Sequence, residues 1–376
     1  MKKIKKLTGI TLMAAMLIGL TGCGNSSNET TTAATTEAET IAAATTAAAT
    51  EATTTGSDSI FDQADAPEFN IILAHGTSEQ QLGGLNCTTF KEEIEARSNG
   101  KITVEVYPNA QLGTDAESFT STQMGTIQMT WMATGSYVSY IPEIGILSQP
   151  MRFTDINECY KLLESGTEFR TYLNNVFEEN SLTCVGISPT AFRTMSSNIK
   201  VESMEDFKGI NIRTIDDKYQ KAFWNALGCN ATPLAFGELY IALQQGLMDA
   251  QENPLDTIVN NNLGEVQKYM IITNHVPFVS TFIMNKDFYN SMPTEYQDLV
   301  ATILDEIAAD NLKNYEAINQ SALDKLISNN GCEVIELSDA VLEEMKALAE
   351  PIWTSMQEEL GQELSDAFNN TMGKIQ

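Results

Sequence analysis

Two hydrophobic rhythms take turns along this chain. Phe69–Ala74 is an apolar run that ends in His75-Gly76-Thr77-Ser78, a strand followed by a turn whose serine suits the start of a helix. Leu82, Leu85, Phe90 and Ile94 then recur at helical spacing until Asn99-Gly100. Ile102, Val104 and Val106 alternate with Thr103 and Glu105, which predicts a second strand. After YPNAQLG come a helix near Asp115–Met124, a strand at Ile127–Met132 and a loop at 133–136. Thr154–Glu164 and Thr167–Glu179 read as amphipathic helices. A strand follows near Leu182–Ile187, and Ser188-Pro189-Thr190 is read as a connection towards Arg193. Strand and helix alternate, which predicts an α/β fold with a mainly parallel sheet covered on both faces.

The middle of the chain repeats the pattern around two arginines. Ser203 and Asp206 have the spacing of a helix start, and Gly209 stops that turn. Ile210 and Ile212 alternate with Asn211 and Arg213, so a short strand buries the isoleucines and turns Arg213 to the other face. Asp216 is placed to cap the next helix, whose apolar face is Tyr219, Phe223, Ala226 and Leu227 before Gly228. Arg213 thus stands at the carboxyl end of a strand, where open α/β sheets bind ligands, and its rigid fork of donors matches a carboxylate. Tyr240–Leu247 is a helix broken by Gly246, and the segment from Asp249 to Pro254 reads as a polar turn. Pro254 holds Asn253 extended. Phe278–Met284 is an apolar strand. Glu295–Asn330 contains neither glycine nor proline, and a helix of about 35 residues would reach about 50 Å, more than one lobe. Cys332–Leu337 is a further strand. Ser338 caps a helix to about Ala349, Pro351 interrupts, and a last helix reaches Met372.

The N-terminus is different in kind. Residues 1–23 hold four lysines, an apolar run from Leu7 to Leu20 and a small-residue site ending in Cys23, which reads as a secretion signal. Residues 24–66, rich in Thr, Ala and Glu, have almost nothing to bury and read as a tether, holding the folded body roughly 30–40 Å from a membrane. Acids outnumber bases 50 to 22, for a net charge of −28. Losing the signal and then the tether as far as Ile60 would leave −32 and then −27. Such a charge argues against nucleic acid and anionic lipid as partners, and it opposes an anionic ligand at long range. Cys87, Cys159, Cys184, Cys229 and Cys332 form no C-x-x-C pair and read as buried free thiols.

The segments FRTMSSNIKVESMEDFKGINIRT, ATPLAFGELYIALQQGLMDAQENP and EVQKYMIITNH, with YPNAQLG before them, resemble the solute-binding proteins of tripartite ATP-independent periplasmic (TRAP) transporters, the DctP-like family. The resemblance runs from about Phe69 to the C-terminus. It implies a two-lobed, periplasmic-binding-protein-like fold with a long lobe-bridging helix. The first lobe is expected at 67–190 plus about 279–318, the second at 191–278 plus about 319–346, and a C-terminal helix at 347–376 across both. It also implies that Arg213 clamps a ligand carboxylate, that Arg193 reaches a second carboxylate or a hydroxyl, that Asn253 fixes orientation and that Phe236 packs on the carbon skeleton. His75 and Thr134 are further cleft candidates by the same resemblance. Ala250 departs from the family's usual glycine. Leu20-Thr-Gly-Cys23 resembles a bacterial lipobox, which implies lipidation of Cys23 and anchoring to the outer face of the cell membrane.

The function implied is capture of a small organic anion and delivery to a sodium-coupled TRAP permease, with a monomer as the default state and no cofactor or metal. Two other classes stand beside it: a surface-anchored carbohydrate-active enzyme and a sensory ligand-binding lipoprotein. Two histidines far apart in sequence, with no zinc, nucleophile-elbow, Walker or dinucleotide motif, leave little for catalysis. The many acids do leave room for a glycosidase-type carboxylate pair, which depends on space and not on spacing. Dicarboxylates, sugar acids and other hydroxy or oxo acids all satisfy one arginine clamp.

Overall fold

A computed structural model describes residues 59–375. The elements in chain order are β1 (Phe69–His75), α1 (Leu82–Arg97), β2 (Ile102–Tyr107), α2 (Asp115–Gln123), β3 (Met129–Ala133), α3 (Ile156–Leu163), α4 (Glu168–Glu179) and β4 (Leu182–Ser197). Then come β5 (Asn211–Thr214), α5 (Lys218–Ala226), β6 (Asn230–Pro233), α6 (Leu239–Gln244), β7 (Ala250–Asn253), α7 (Leu255–Asn260) and β8 (Tyr269–Asn285). The chain ends with α8 (Lys286–Ser291), α9 (Thr294–Asn330), β9 (Glu333–Glu336), α10 (Asp339–Leu360) and α11 (Gln362–Ile375).

Among the described residues the strands form one sheet of nine, in the order β2-β1-β3-β8-β4-β7-β5-β6, with β9 also on β8. The 16-residue β4 and the 17-residue β8 hold it together. Near Ser280–Met284, β8 pairs with β3; near Tyr269–Ile272 it pairs with β9, so one strand serves both lobes. β4 leaves the first lobe and β8 returns to it, so the two run antiparallel, as do β3 with β8 and β4 with β7. Within each lobe the pairs β1–β2, β1–β3, β5–β6 and β5–β7 are parallel, as a strand–helix alternation requires. The sheet is therefore mixed, because only strands that cross between lobes escape the parallel rule.

Other local expectations change for similar reasons. Ser188-Pro189-Thr190 is no connection: β4 continues through it, and the missing proline N–H sits where the ladder shifts register between Pro189 and Ala191. Residues 250–253 are strand and not turn, since they fill the slot between β4 and β5, with Ala250 fully buried opposite Ser197 and Ile212. α10 runs through Pro351 to Leu360. The expected tether ends earlier than residue 66, because Phe61 packs on Tyr296 with ring centroids 4.7 Å apart. The long helix is 37 residues, about 55 Å, and Gly331 at φ +68° ends it. Its Val300, Ile303 and Leu304 belong to the apolar core of the first lobe and its Leu326 to a core of the second. Cys87, Cys159, Cys184, Cys229 and Cys332 are buried and unpaired. Cys23 and the signal segment lie outside the described residues.

Candidate functional site

Where β1, β3, β5, β6 and β7 end, a cavity of about 520 Å³ opens between the lobes. The first lobe contributes the turn after β1, the start of α2 and the loop after β3; the second contributes Arg193, Arg213, the β6–α6 segment and Asn253. Trp131, Tyr140, Phe236 and Phe278 supply aromatic wall. Gly83 lies directly under the Trp131 ring, where a Cβ would collide with the indole, so that wall is set by a glycine on α1.

Arg213 is 3% exposed and lines the cavity. The short strand that carries it pairs with β6 and β7, burying Ile212 completely on the opposite face. Its Nε and Nη2 both donate to the Leu234 carbonyl, at 2.9 and 2.6 Å, which fixes one edge of the guanidinium. Phe236 lies 6.0 Å from Cζ, ring centroid to carbon. Burial lowers its pKa to about 10, with Glu252 and Asp115 pulling upward and Arg193 downward. Among the described residues it forms no ion pair. The helix that follows is capped by Asp217, whose Oδ1 accepts from Tyr219 N at 2.8 Å, and not by Asp216, which lines the cavity.

Arg193 also lines the cavity, but its charge is answered from within. It ion-pairs with Glu252 through Nε and Oε2; Nη2 donates to Oε1 at 2.8 Å, to the Glu252 carbonyl at 2.6 Å and to Asn253 Oδ1 at 3.0 Å. Behind it, His275 Nε2 stands 3.2 Å from Glu252 Oε2, while Nδ1 meets Thr273 Oγ1 at 2.9 Å. Burial alone would raise the Glu252 carboxyl; Arg193 and His275 carry it down to about 2 instead. Asn253 donates to Gln251 Oε1 at 2.6 Å, so it is locked before any ligand arrives.

The expected residues thus divide. Arg193, Arg213, Phe236 and Asn253 meet at the cavity; His75 and Thr134 do not line it. His75 is 2% exposed and edge-on to Trp131, and burial lowers its pKa to about 4. Thr134 Oγ1 donates to the Val279 carbonyl at 3.2 Å, a contact inside the sheet. Sequence reasoning missed Asp115, Trp131 and Glu252. The signal for Glu252 was an acid next to Asn253 in a segment that turned out to be strand, facing an arginine on its neighbour.

Beside the cavity the lobes touch directly. Leu82 N, at the start of α1, donates to Asp256 Oδ2 at 2.9 Å, and Gln81 Nε2 donates to Thr257 Oγ1 at 2.9 Å. Asn261 Nδ2 reaches Gln81 Oε1 at 2.8 Å. The first turn of α1 is therefore capped from the other lobe, since Gln81 supplies no side-chain cap of its own.

The sequence model of the DctP family, described as bacterial extracellular solute-binding protein, family 7, matches residues 73–360. A solute-binding protein of Verminephrobacter eiseniae is 33% identical over 224 residues, 59% of this chain and 66% of the relative. The C4-dicarboxylate-binding periplasmic protein DctP of Rhodobacter capsulatus is 28% identical over 298 residues, 78% of this chain and 88% of the relative. A TRAP periplasmic solute-binding protein of Desulfovibrio salexigens, solved with bound orotic acid, superposes with a TM-score of 0.77 at 26% identity, over 82% of this chain and all of that one. These proteins have the two-lobed fold seen here, and their family binds substrates rather than transforming them. With the match covering most of its length, the chain belongs to bacterial extracellular solute-binding protein family 7, the DctP family.

Proposed function

We propose that this protein captures a small organic acid outside the cytoplasm and hands it to a sodium-coupled TRAP permease, without catalysing any change in it. The observation that carries this reading is Arg213: a buried guanidinium facing a cavity, held by one carbonyl and, among the described residues, paired with no carboxylate. Burial in low dielectric makes an unanswered cation costly, and an incoming carboxylate relieves that cost with a forked pair. Neutral solutes would leave the cation unrelieved. Asn253 and Arg193 shape the adjoining wall, and Phe236 packs on the carbon skeleton. The relatives named for a C4-dicarboxylate and solved with orotic acid bind carboxylates, which supports the class. Two lobes, at 67–190 plus about 279–318 and at 191–278 plus about 319–346, close on the ligand because it touches both. Residues 347–376 pack across them, and a lipid on Cys23 would keep the receptor at the membrane as a monomer.

Thermal-shift screening against an organic-acid library tests the reading. A binder melts higher with saturation and returns its ligand unchanged, and Arg213→Ala loses the shift while folding normally. An Arg213→Ala protein that binds the same acids as the parent overturns it. Consumption of the ligand would favour the enzyme class instead.

A further inference from the structure

The charges around the cavity do not suit every acid. Its lining holds two guanidinium groups, Arg193 and Arg213, against three carboxylates, Asp115, Asp216 and Glu238. Arg193 is already neutralised by Glu252. One cation therefore remains to receive an anion, and a second negative group would meet a wall that is negative on balance.

Asp115 is the carboxylate that matters most. Asp216 and Glu238 are exposed at the rim, whereas Asp115 sits at the first position of α2, after a Thr114 cap that Glu117 completes. Its Oδ2 accepts from Ser136 Oγ at 2.6 Å, and the space beside Oδ1 is open because residue 76 is glycine; a Cβ there would stand 2.6 Å from that oxygen. Among the described residues Asp115 forms no ion pair, yet its charge and that of Arg213 act on each other across the cavity. Burial raises its pKa, so the site already strains to keep this carboxylate ionised, and a further anion nearby adds to the strain. Apolar wall from Trp131, Phe236 and Phe278 completes the surroundings.

We propose that the ligand carries a single carboxylate for Arg213 and, at its other end, a hydrogen-bond donor that Asp115 accepts, so that dicarboxylates of the same length are rejected. The donor is a hydroxyl or an ammonium group; both present the same N–H or O–H chemistry to Oδ1. This rests on the carboxylate-receptor reading above and narrows it.

The test uses sets matched in length: succinate, γ-hydroxybutyrate and γ-aminobutyrate; and isophthalate, m-(hydroxymethyl)benzoate and m-(aminomethyl)benzoate. Each is titrated calorimetrically into the wild type, Arg213→Ala and Asp115→Asn. In at least one set the hydroxy or amino acid binds the wild type about tenfold or more tightly than the dicarboxylate, since like-charge juxtaposition costs at least that much. Asp115→Asn, whose amide oxygen still accepts, keeps the hydroxy acid, loses the amino acid and admits the dicarboxylate. In the wild type a tighter hydroxy acid identifies a hydroxyl ligand, and a tighter amino acid that Asp115→Asn then loses identifies an ammonium. Should dicarboxylates bind as tightly as their partners, or Asp115→Asn leave the ranking unchanged, the inference falls while the receptor reading stands. Should no acid in either set bind in an Arg213-dependent manner, the receptor reading falls and takes the inference with it.

Discussion

Glu252 meets Arg193 side-on, with Nη2 donating to Oε1 at 2.8 Å and Nε paired to Oε2, where the two side chains are 3% and 0% exposed. Two consequences follow from that one pair: Arg193 is no free anion receptor, and the charge that remains available belongs to Arg213.

Removing one partner of a buried pair strands the other, so Glu252→Gln is expected to lower unfolding free energy by about 3 kcal/mol. Denaturant unfolding measures it. The carboxyl titrates at about 2 when folded, below its ordinary 4.5, so its stabilising contribution is complete above pH 4.5 and is lost as pH falls towards 2. In the variant that acid limb flattens.

Arg213 is held charged at the expense of apo stability. Arg213→Met, which keeps volume and apolar contact but removes the charge, is expected to stabilise the unliganded protein by about 1–2 kcal/mol while abolishing ligand-dependent melting shifts. Arg213→Lys rescues binding poorly, because an ammonium cannot form the forked pair. Calorimetric melting with and without ligand reads both.

Asp256, on the second lobe, caps α1 on the first, a contact that separating the lobes would break. Losing a cap costs about 1 kcal/mol, so Asp256→Ala is expected to weaken ligand affinity about fivefold, with Asp256→Asn close to wild type because it still offers an oxygen. Titration calorimetry decides it, and an Asn variant as weak as the Ala variant would remove the capping explanation.

His75 and Asp217 pull the pH–stability curve in opposite directions. Burial lowers His75 from 6.5 to about 4, so its neutral form stabilises the fold above pH 6.5 and that contribution fades as pH falls towards 4. Burial raises Asp217 from 3.8 to about 6, so a penalty grows as pH rises from 3.8 to 6. Asp217→Asn is expected to gain about 1 kcal/mol or more above pH 6 and nothing below pH 4, while keeping the α5 cap. His75→Leu flattens the fall between pH 6.5 and 4. Melting temperatures across that range separate the two.

Much of this was written locally. The period of Leu82–Ile94, the glycine-free run of α9 and the isoleucines flanking Arg213 depend on neighbours within a few residues, and the helices, strand and arginine they predicted stand where expected. Pairing between distant segments is another matter. Nothing near residues 250–253 says that they will be captured as strand between β4 and β5, and nothing near Pro189 says that β4 will run through it. The roles in the site followed from those long-range choices. Arg193 and Arg213 look alike along the chain, each lying between an apolar residue and a threonine. Only the fold brings Glu252 against the first and leaves the second facing a cavity that Asp115 also lines, because an ion pair depends on which strands lie side by side and a side chain's own neighbours in sequence do not determine that.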